Sequence, residues 1–91
     1  MSRTVKQEVL IQNRKGLHAR ASAKVVHIAE HYDSITHISY QDMRVPAESI
    51  MGLLMLGAGQ GACILIESEG EQAEEVVASL VDLIANQFGE V

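Results

Sequence analysis

The spacing of apolar residues changes its period along the chain, and each change marks the boundary of a predicted element. Apolar and polar residues alternate over residues 4–11, which is typical of a half-buried strand. Over residues 19–32 the period becomes helical, with one apolar arc. The opposite arc of this predicted helix is basic and holds Arg20, Lys24, His27 and His31.

Two short strands and an apolar helix are predicted next. Residues 35–40 are rich in β-branched and aromatic side chains, and residues 43–47 form a return strand. Pro46 cannot donate to a sheet, so this strand is predicted to lie at an edge. Ser49 and Gly57 are cap signals for a helix over residues 50–56. Because that helix is apolar nearly all round, its second side either packs in the core or meets a partner protein.

The last third of the chain predicts a strand over residues 62–68 and a helix from Glu71 to about Phe88, ended by Gly89. The glycine-rich stretch 57–61 follows a helix and lacks the Lys-Ser/Thr ending of a P-loop, so we interpret it as a connector. The order strand, helix, strand, strand, helix, strand, helix predicts an α+β fold. In it, one mostly antiparallel sheet is covered on one face by helices, in a single domain spanning residues 1–91.

Charge and composition exclude several classes of protein. Seven Lys and Arg against twelve Asp and Glu give a net charge of −5, which argues against general nucleic-acid binding. The longest mostly apolar run, residues 50–58, is too short to span a membrane. Arg3, Lys6 and Glu8 interrupt any signal peptide, so a cytoplasmic protein is expected. Cys63 is the single cysteine, and we predict it to be a small hydrophobic residue of a core strand.

The candidate chemistry lies in residues 13–22, where the first strand ends and the first helix begins. The start of a helix has unpaired N–H groups and a positive dipole, so it attracts anions. His18 lies at that junction, and a neutral imidazole can attack phosphorus with its lone pair. Arg20 can bind phosphoryl oxygens, and Gly16 permits a tight turn. These residues fit either a phosphate-handling histidine or one that only caps a helix.

The same stretch, Asn-Arg-Lys-Gly-Leu-His-Ala-Arg over residues 13–20, resembles the active-site segment of HPr, the histidine-containing phosphocarrier family of the bacterial phosphotransferase system. Ser49-Ile50-Met51-Gly52-Leu53 and the glycine-rich residues 56–61 resemble that family's second helix and following loop. The resemblance covers essentially the whole chain in order and spacing.

This resemblance implies four antiparallel strands in the sheet order 1-4-2-3, with three helices on one side. It implies that enzyme I, charged from phosphoenolpyruvate, phosphorylates the δ nitrogen of His18, which then passes the group to an EIIA-type protein. Arg20 and the backbone N–H groups of Ala19 and Arg20 match the phosphate contacts, and no cofactor or metal is expected. Ser49 matches the serine that an ATP-dependent kinase modifies in many members. The implied partner-docking residues of this expected monomer are Leu17, Ala21, Lys24, Ile50, Met51 and Leu54.

One position departs from the sugar-transport members of the family, which usually have proline where this chain has Ala21. Alanine is an excellent helix former, so the site is expected to survive with a less rigid helix start. Ala21-Ser22, together with residues 42–47, resembles proteobacterial members, including the nitrogen-related NPr branch. The process that the phosphocarrier serves is therefore expected to be either sugar uptake or nitrogen regulation.

Two other functions compete with the phosphocarrier. The first is a regulatory module that binds proteins without carrying a phosphoryl group, as in members that have lost the histidine. The second is metal binding by His27 and His31, whose four-residue spacing suits two ligands of one ion. No carboxylate or cysteine follows one turn further on that face, so a solvated surface is predicted there.

Overall fold

A computed structural model describes residues 4–90. Its elements are β1 (Thr4–Leu10), α1 (Ala19–Glu30), β2 (Ile35–Tyr40), β3 (Met43–Pro46), α2 (Ile50–Met55), β4 (Cys63–Glu69) and α3 (Ala73–Ala85), followed by a 3-10 turn at Gln87–Gly89. The predicted order of strands and helices is confirmed, with helix ends shifted by a few residues. Arg3, one basis for expecting no signal peptide, lies outside the described residues.

The four strands form one antiparallel sheet in the order β1-β4-β2-β3. The predicted α+β architecture is therefore confirmed, and so is the edge position of the strand that contains Pro46. Because side chains alternate across a strand, one face of the sheet points toward the helices and the other toward solvent. The inward face of the two central strands contributes Ile38, Ile64 and Ile66, all fully buried.

A single core lies between the sheet and the three helices. The fully buried hydrophobic side chains come from every layer of the sandwich; the largest are Phe88, Ile11, Ile38, Leu53, Ile64, Ile66, Leu80, Ile84, Val25 and Val76. Within residues 4–90, none of the helices has the length and apolar character needed to cross a membrane.

The C-terminal end differs from the prediction of one helix from Glu71 to Phe88. The α-helix begins after Gln72 and ends at Ala85, and Gln87 and Phe88 both take left-handed backbone angles, with φ of 55° and 56°. A continuous right-handed helix cannot contain two successive residues with these angles. The Phe88 side chain is instead buried by a turn that folds the chain back, which brings the last described residues toward the start of α1.

The prediction that Cys63 belongs to the core is wrong. Strand alternation directs Ile64 inward and Cys63 outward, so the thiol is exposed and donates to Glu8 Oε2 at 3.3 Å. This hydrogen bond to a carboxylate raises the pKa of the Cys63 thiol, aided by loss of solvation and by the negative charge of Glu8. A raised pKa disfavours the reactive thiolate.

Candidate functional site

The loop between β1 and α1 is held against the loop that follows α2. Leu17 N–H donates to Ala58 O at 2.9 Å. The preceding residue, Gly16, has φ +62°. A Cβ atom at Gly16 would lie 2.6 Å from both Ala58 O and Gly59 Cα. Only glycine satisfies both the backbone angle and the close approach. This contact fixes the start of α1 relative to α2.

His18 is the N-cap of α1, as the sequence predicts. Its backbone is extended, and its carbonyl accepts the first helical hydrogen bond from Ser22 N–H at 2.8 Å. Its ring Nδ1 accepts from Arg20 N–H at 3.3 Å, so this nitrogen faces the open end of the helix. The Ser22 hydroxyl, buried beneath, donates to Leu17 O at 3.1 Å and holds the turn that presents the imidazole.

The other ring nitrogen of His18 contacts the carboxylate of Glu90, a residue that the sequence did not predict to belong to the site. Nε2 lies 2.5 Å from Glu90 Oε2, and Asn13 Nδ2 donates to Glu90 Oε1 at 3.0 Å. Asn13 is fully buried and also donates to Gly16 O at 2.9 Å, so it joins the turn to the carboxylate. Nothing in the local sequence signals a contact between residues 72 positions apart.

These partners determine the tautomer of the imidazole. A carboxylate oxygen only accepts, so Nε2 carries the proton that is shared with Glu90. A backbone N–H only donates, so Nδ1 presents its lone pair toward Arg20 N–H. The ring is therefore oriented with its nucleophilic nitrogen at the start of the helix.

The contacts with His18 and Asn13 also determine how Glu90 titrates. The hydrogen bond from His18, then that from Asn13, lowers the pKa of the Glu90 carboxyl below its ordinary value of 4.5. A carboxyl whose pKa is lower in the folded state stabilises the fold above its unfolded pKa. That stabilisation is lost as the pH falls through the folded pKa.

Glu90→Gln is therefore expected to lower the free energy of unfolding at neutral pH and to leave it nearly unchanged in acid. Wild type and variant should converge as the pH falls through the lowered pKa of Glu90 in the folded state, because the wild-type carboxyl then becomes neutral, as the amide of the variant already is. Denaturant titrations monitored by circular dichroism at several pH values test this. A difference that stays constant down to pH 2 contradicts the role given to the ionised carboxylate.

Basic side chains surround the imidazole. The open pocket at His18 is lined by Arg14, Lys15, Arg20 and Lys24, which are four of the seven Lys and Arg residues of an acidic chain. Their concentration at one pocket attracts anions toward His18. Lys24 Nζ also donates to Phe88 O at 2.5 Å and so holds the C-terminal turn, including Glu90, beside the site.

The six predicted docking residues differ in burial. Met51 is 70% exposed, and Ile50 and Leu54 are 40% and 39% exposed, which is unusual for large apolar side chains. Lys24 is half-buried, and Leu17 and Ala21 are buried, at 5% and 0% exposure, because they face the core just before and within the first turn of α1. These two side chains belong to the hydrophobic core and expose little surface to a partner.

Ser49 is confirmed as the N-cap of α2, since its Oγ accepts from Gly52 N–H at 3.0 Å. It is half-buried and adjoins the exposed apolar residues of that helix. Among the residues described, no three His, Cys, Asp or Glu side chains come together in a way that could hold a metal ion.

Comparison with known proteins gives one family model, two relatives and one solved structure that are similar to this chain. A family model for the PTS HPr component phosphorylation site matches residues 5–86. Phosphocarrier protein HPr of Cupriavidus necator is 42% identical over 86 residues, which are 94% of this chain and 97% of the relative. Phosphocarrier protein NPr of Shewanella violacea is 33% identical over 94% of each chain. The crystal structure of HPr-C-His from Thermoanaerobacter tengcongensis has a TM-score of 0.92 at 38% identity, covering 96% of this chain and 98% of that one.

Proposed function

The chain belongs to the HPr family of phosphocarrier proteins, and from that membership we propose that Nδ1 of His18 is the atom that carries the phosphoryl group. The observation that supports this assignment is the orientation of the ring. Nε2 is occupied by Glu90, whereas Nδ1 presents its lone pair at the positive end of α1. A phosphoryl group on Nδ1 would thus lie beside the helix start and the basic pocket.

The transfer step needs no external base, because Nδ1 already has a free lone pair. The Nδ1 lone pair forms the new N–P bond while the bond between phosphorus and the donor nitrogen of phospho-enzyme I breaks. Nε2 keeps its proton, so the ring becomes cationic as the bond forms. The Glu90 carboxylate stabilises that developing charge, and the reverse process releases the group to an EIIA-type protein.

The phosphoryl oxygens have nearby donors. On phosphorylation the Arg20 N–H, which donates to Nδ1 in the free protein, can donate to a phosphoryl oxygen instead, and the neighbouring Ala19 N–H can do the same. The helix dipole adds about 0.3–1 kcal/mol when the group is exposed and up to about 2 kcal/mol when it is partly buried. The Arg20 guanidinium adds charge-assisted hydrogen bonds. This stabilisation is modest, which suits a carrier that must release what it binds.

Incubation with enzyme I and phosphoenolpyruvate tests the proposed function. We expect one phosphoryl group per chain, labile in acid and stable in base, which an EIIA-type protein then removes. A chain that stays unlabelled, or one whose label survives acid, contradicts the proposal. The first outcome would favour the alternative function, a regulatory module that binds proteins without carrying a phosphoryl group.

Arg20→Glu is expected to reduce kcat/KM for phosphoryl transfer by about 10–100-fold, since a lost hydrogen bond to a charged group costs about 1.5–3 kcal/mol. Arg20 is exposed, so cooperative unfolding should be retained. Arg14→Glu makes the same change of charge at the same pocket and serves as the matched control. Equal losses in both variants would assign the effect to overall charge, and loss of cooperative unfolding would make Arg20 structural.

We propose that partners dock on an apolar patch, defined as Ile50, Met51 and Leu54, together with the basic pocket at His18. The patch offers large exposed side chains, and the pocket favours an acidic partner surface. Enzyme I and an EIIA-type protein are the proposed partners. Relative transfer rates to sugar-specific and nitrogen-related EIIA proteins would distinguish the two branches.

Ser49 is proposed as a regulatory phosphorylation site for an ATP-dependent kinase. Its phosphate would place negative charge beside the apolar patch and repel partners. Ser49→Asp should unfold like wild type, because aspartate also caps helices, but it should transfer more slowly. Ser49→Ala should lose about 1 kcal/mol of stability and transfer normally. Kinetics and denaturant titrations on both variants test this; normal transfer by Ser49→Asp contradicts it.

The remaining proposals concern the setting of the protein. A cytoplasmic location is supported by Cys63, because a free thiol is typical of a reducing compartment. A monomer is supported by the presence of a complete site within one chain, since His18, Glu90 and Asn13 all come from it. Sedimentation at working concentration tests the monomer.

A further inference from the structure

We propose that His27 and His31 form a two-histidine site for one divalent transition-metal ion of borderline softness, such as Zn²⁺. The site lies on the exposed side of α1 and is separate from the phosphoryl site. From the sequence, the four-residue spacing suits two ligands of one ion, but this face of the helix is predicted to be a solvated surface. The arrangement of the two rings in the structure is what changes that interpretation.

The ring geometry matches chelation of a single ion. The centres of the two imidazoles are 5.1 Å apart, and their planes are tilted by 52°. A Zn–N bond of about 2.0–2.1 Å places each ring centre about 3.2 Å from the ion, so two rings at a tetrahedral angle are about 5.2 Å apart. The distance between the ring centres is therefore compatible with one shared ion, which rotation of the two side chains could place between their nitrogens.

The surroundings of the pair leave the two imidazoles accessible. Both histidines are exposed, so water can complete the coordination sphere. Lys24 lies one turn before His27, and its ammonium is bonded to Phe88 O at the C-terminal turn. Glu30 is adjacent to His31 on the exposed end of the helix and adds negative charge. Neutral imidazole is among the commonest ligands of zinc, nickel and copper.

The position of the pair gives a bound ion access to partner proteins. His27 lines a shallow groove with an apolar floor that includes Ala23, Ile28 and Leu83. Arg20 and Lys24 line both this groove and the pocket at His18. An ion on His27 and His31 would thus lie next to this groove, with coordination positions open to an acidic side chain of a partner.

Calorimetric titration of the full chain with ZnCl₂ tests the proposal, with amide NMR shifts as a second measurement. We expect one ion per chain, with the largest shifts in the second half of α1. His27→Ala and His31→Ala should each weaken binding at least about tenfold, because each removes one of two protein ligands. His37→Ala, which changes a histidine of β2, should bind as wild type does and is the matched control.

His18→Asn distinguishes this site from the phosphoryl site, where His18 and Glu90 form another pair of metal-binding groups. Unchanged zinc binding in His18→Asn supports the proposal, even if phosphoryl transfer fails for an unrelated reason. Loss of binding in His18→Asn, or equal binding in His27→Ala and wild type, overturns it. One ion shared by two chains also overturns it, since a second copy would then complete the site.

Discussion

His18→Asn is expected to abolish phosphorylation by enzyme I and phosphoenolpyruvate, with no acid-labile label above background. Asparagine is one of the best N-cap residues, so it can replace the capping role of the ring. It has no nucleophilic nitrogen, because its amide lone pair is delocalised. The variant therefore separates the two readings of His18 that the sequence leaves open, phosphoryl acceptor and helix cap.

His37→Ala is the matched control for this prediction, since it removes a histidine from β2 and leaves the start of α1 unchanged. It should be labelled to the same extent as wild type. Denaturant titration should show His18→Asn unfolding cooperatively. Persistent acid-labile label in a folded His18→Asn would assign the phosphoryl group to another residue.

Gly16→Ala is expected to lower the free energy of unfolding by about 2–4 kcal/mol. A left-handed backbone angle costs a residue with a Cβ about 1–2 kcal/mol, and overpacking costs about 1–3 kcal/mol more. The new methyl group would lie 2.6 Å from backbone atoms of Ala58 and Gly59, which a side-chain rotation cannot relieve. Denaturant titration by circular dichroism measures the loss.

Gly57→Ala isolates the contribution of the backbone angle. Gly57 has φ +64°, close to the +62° of Gly16, but no heavy atom lies within 4 Å of its ideal Cβ position. Its substitution should therefore cost only about 1–2 kcal/mol. Equal losses at the two positions would show that the close approach of the two loops adds no cost to the substitution of Gly16.

Local patterns were sufficient to predict most of the fold. The alternation of β1, the helical period of α1, the Ser49 cap and the edge placement of Pro46 each depend on residues a few positions apart. The Phe88 turn could not be predicted this way. Gln87 and Phe88 adopt left-handed angles that neither residue prefers, because burial of the aromatic ring offsets the strain.

The candidate site shows the same division between local and distant information. His18 at the helix start and Arg20 two residues later are local features, and the sequence placed both. Glu90 reaches His18 only because α3 crosses the sheet and the following turn reverses the chain. Leu17 and Ala21 are expected at the docking surface through the family resemblance, whereas the apolar arc of α1 already contains Ala21, and the structure buries both side chains.

Nitrogen NMR of the phosphorylated, ¹⁵N-labelled chain tests the central claim most directly, because it identifies the atom that carries phosphorus. The structure predicts phosphorus coupling to Nδ1 of His18 while Nε2 remains protonated. Coupling to Nε2 of His18, or to any other residue, would contradict the assignment of His18 Nδ1 as the phosphoryl carrier.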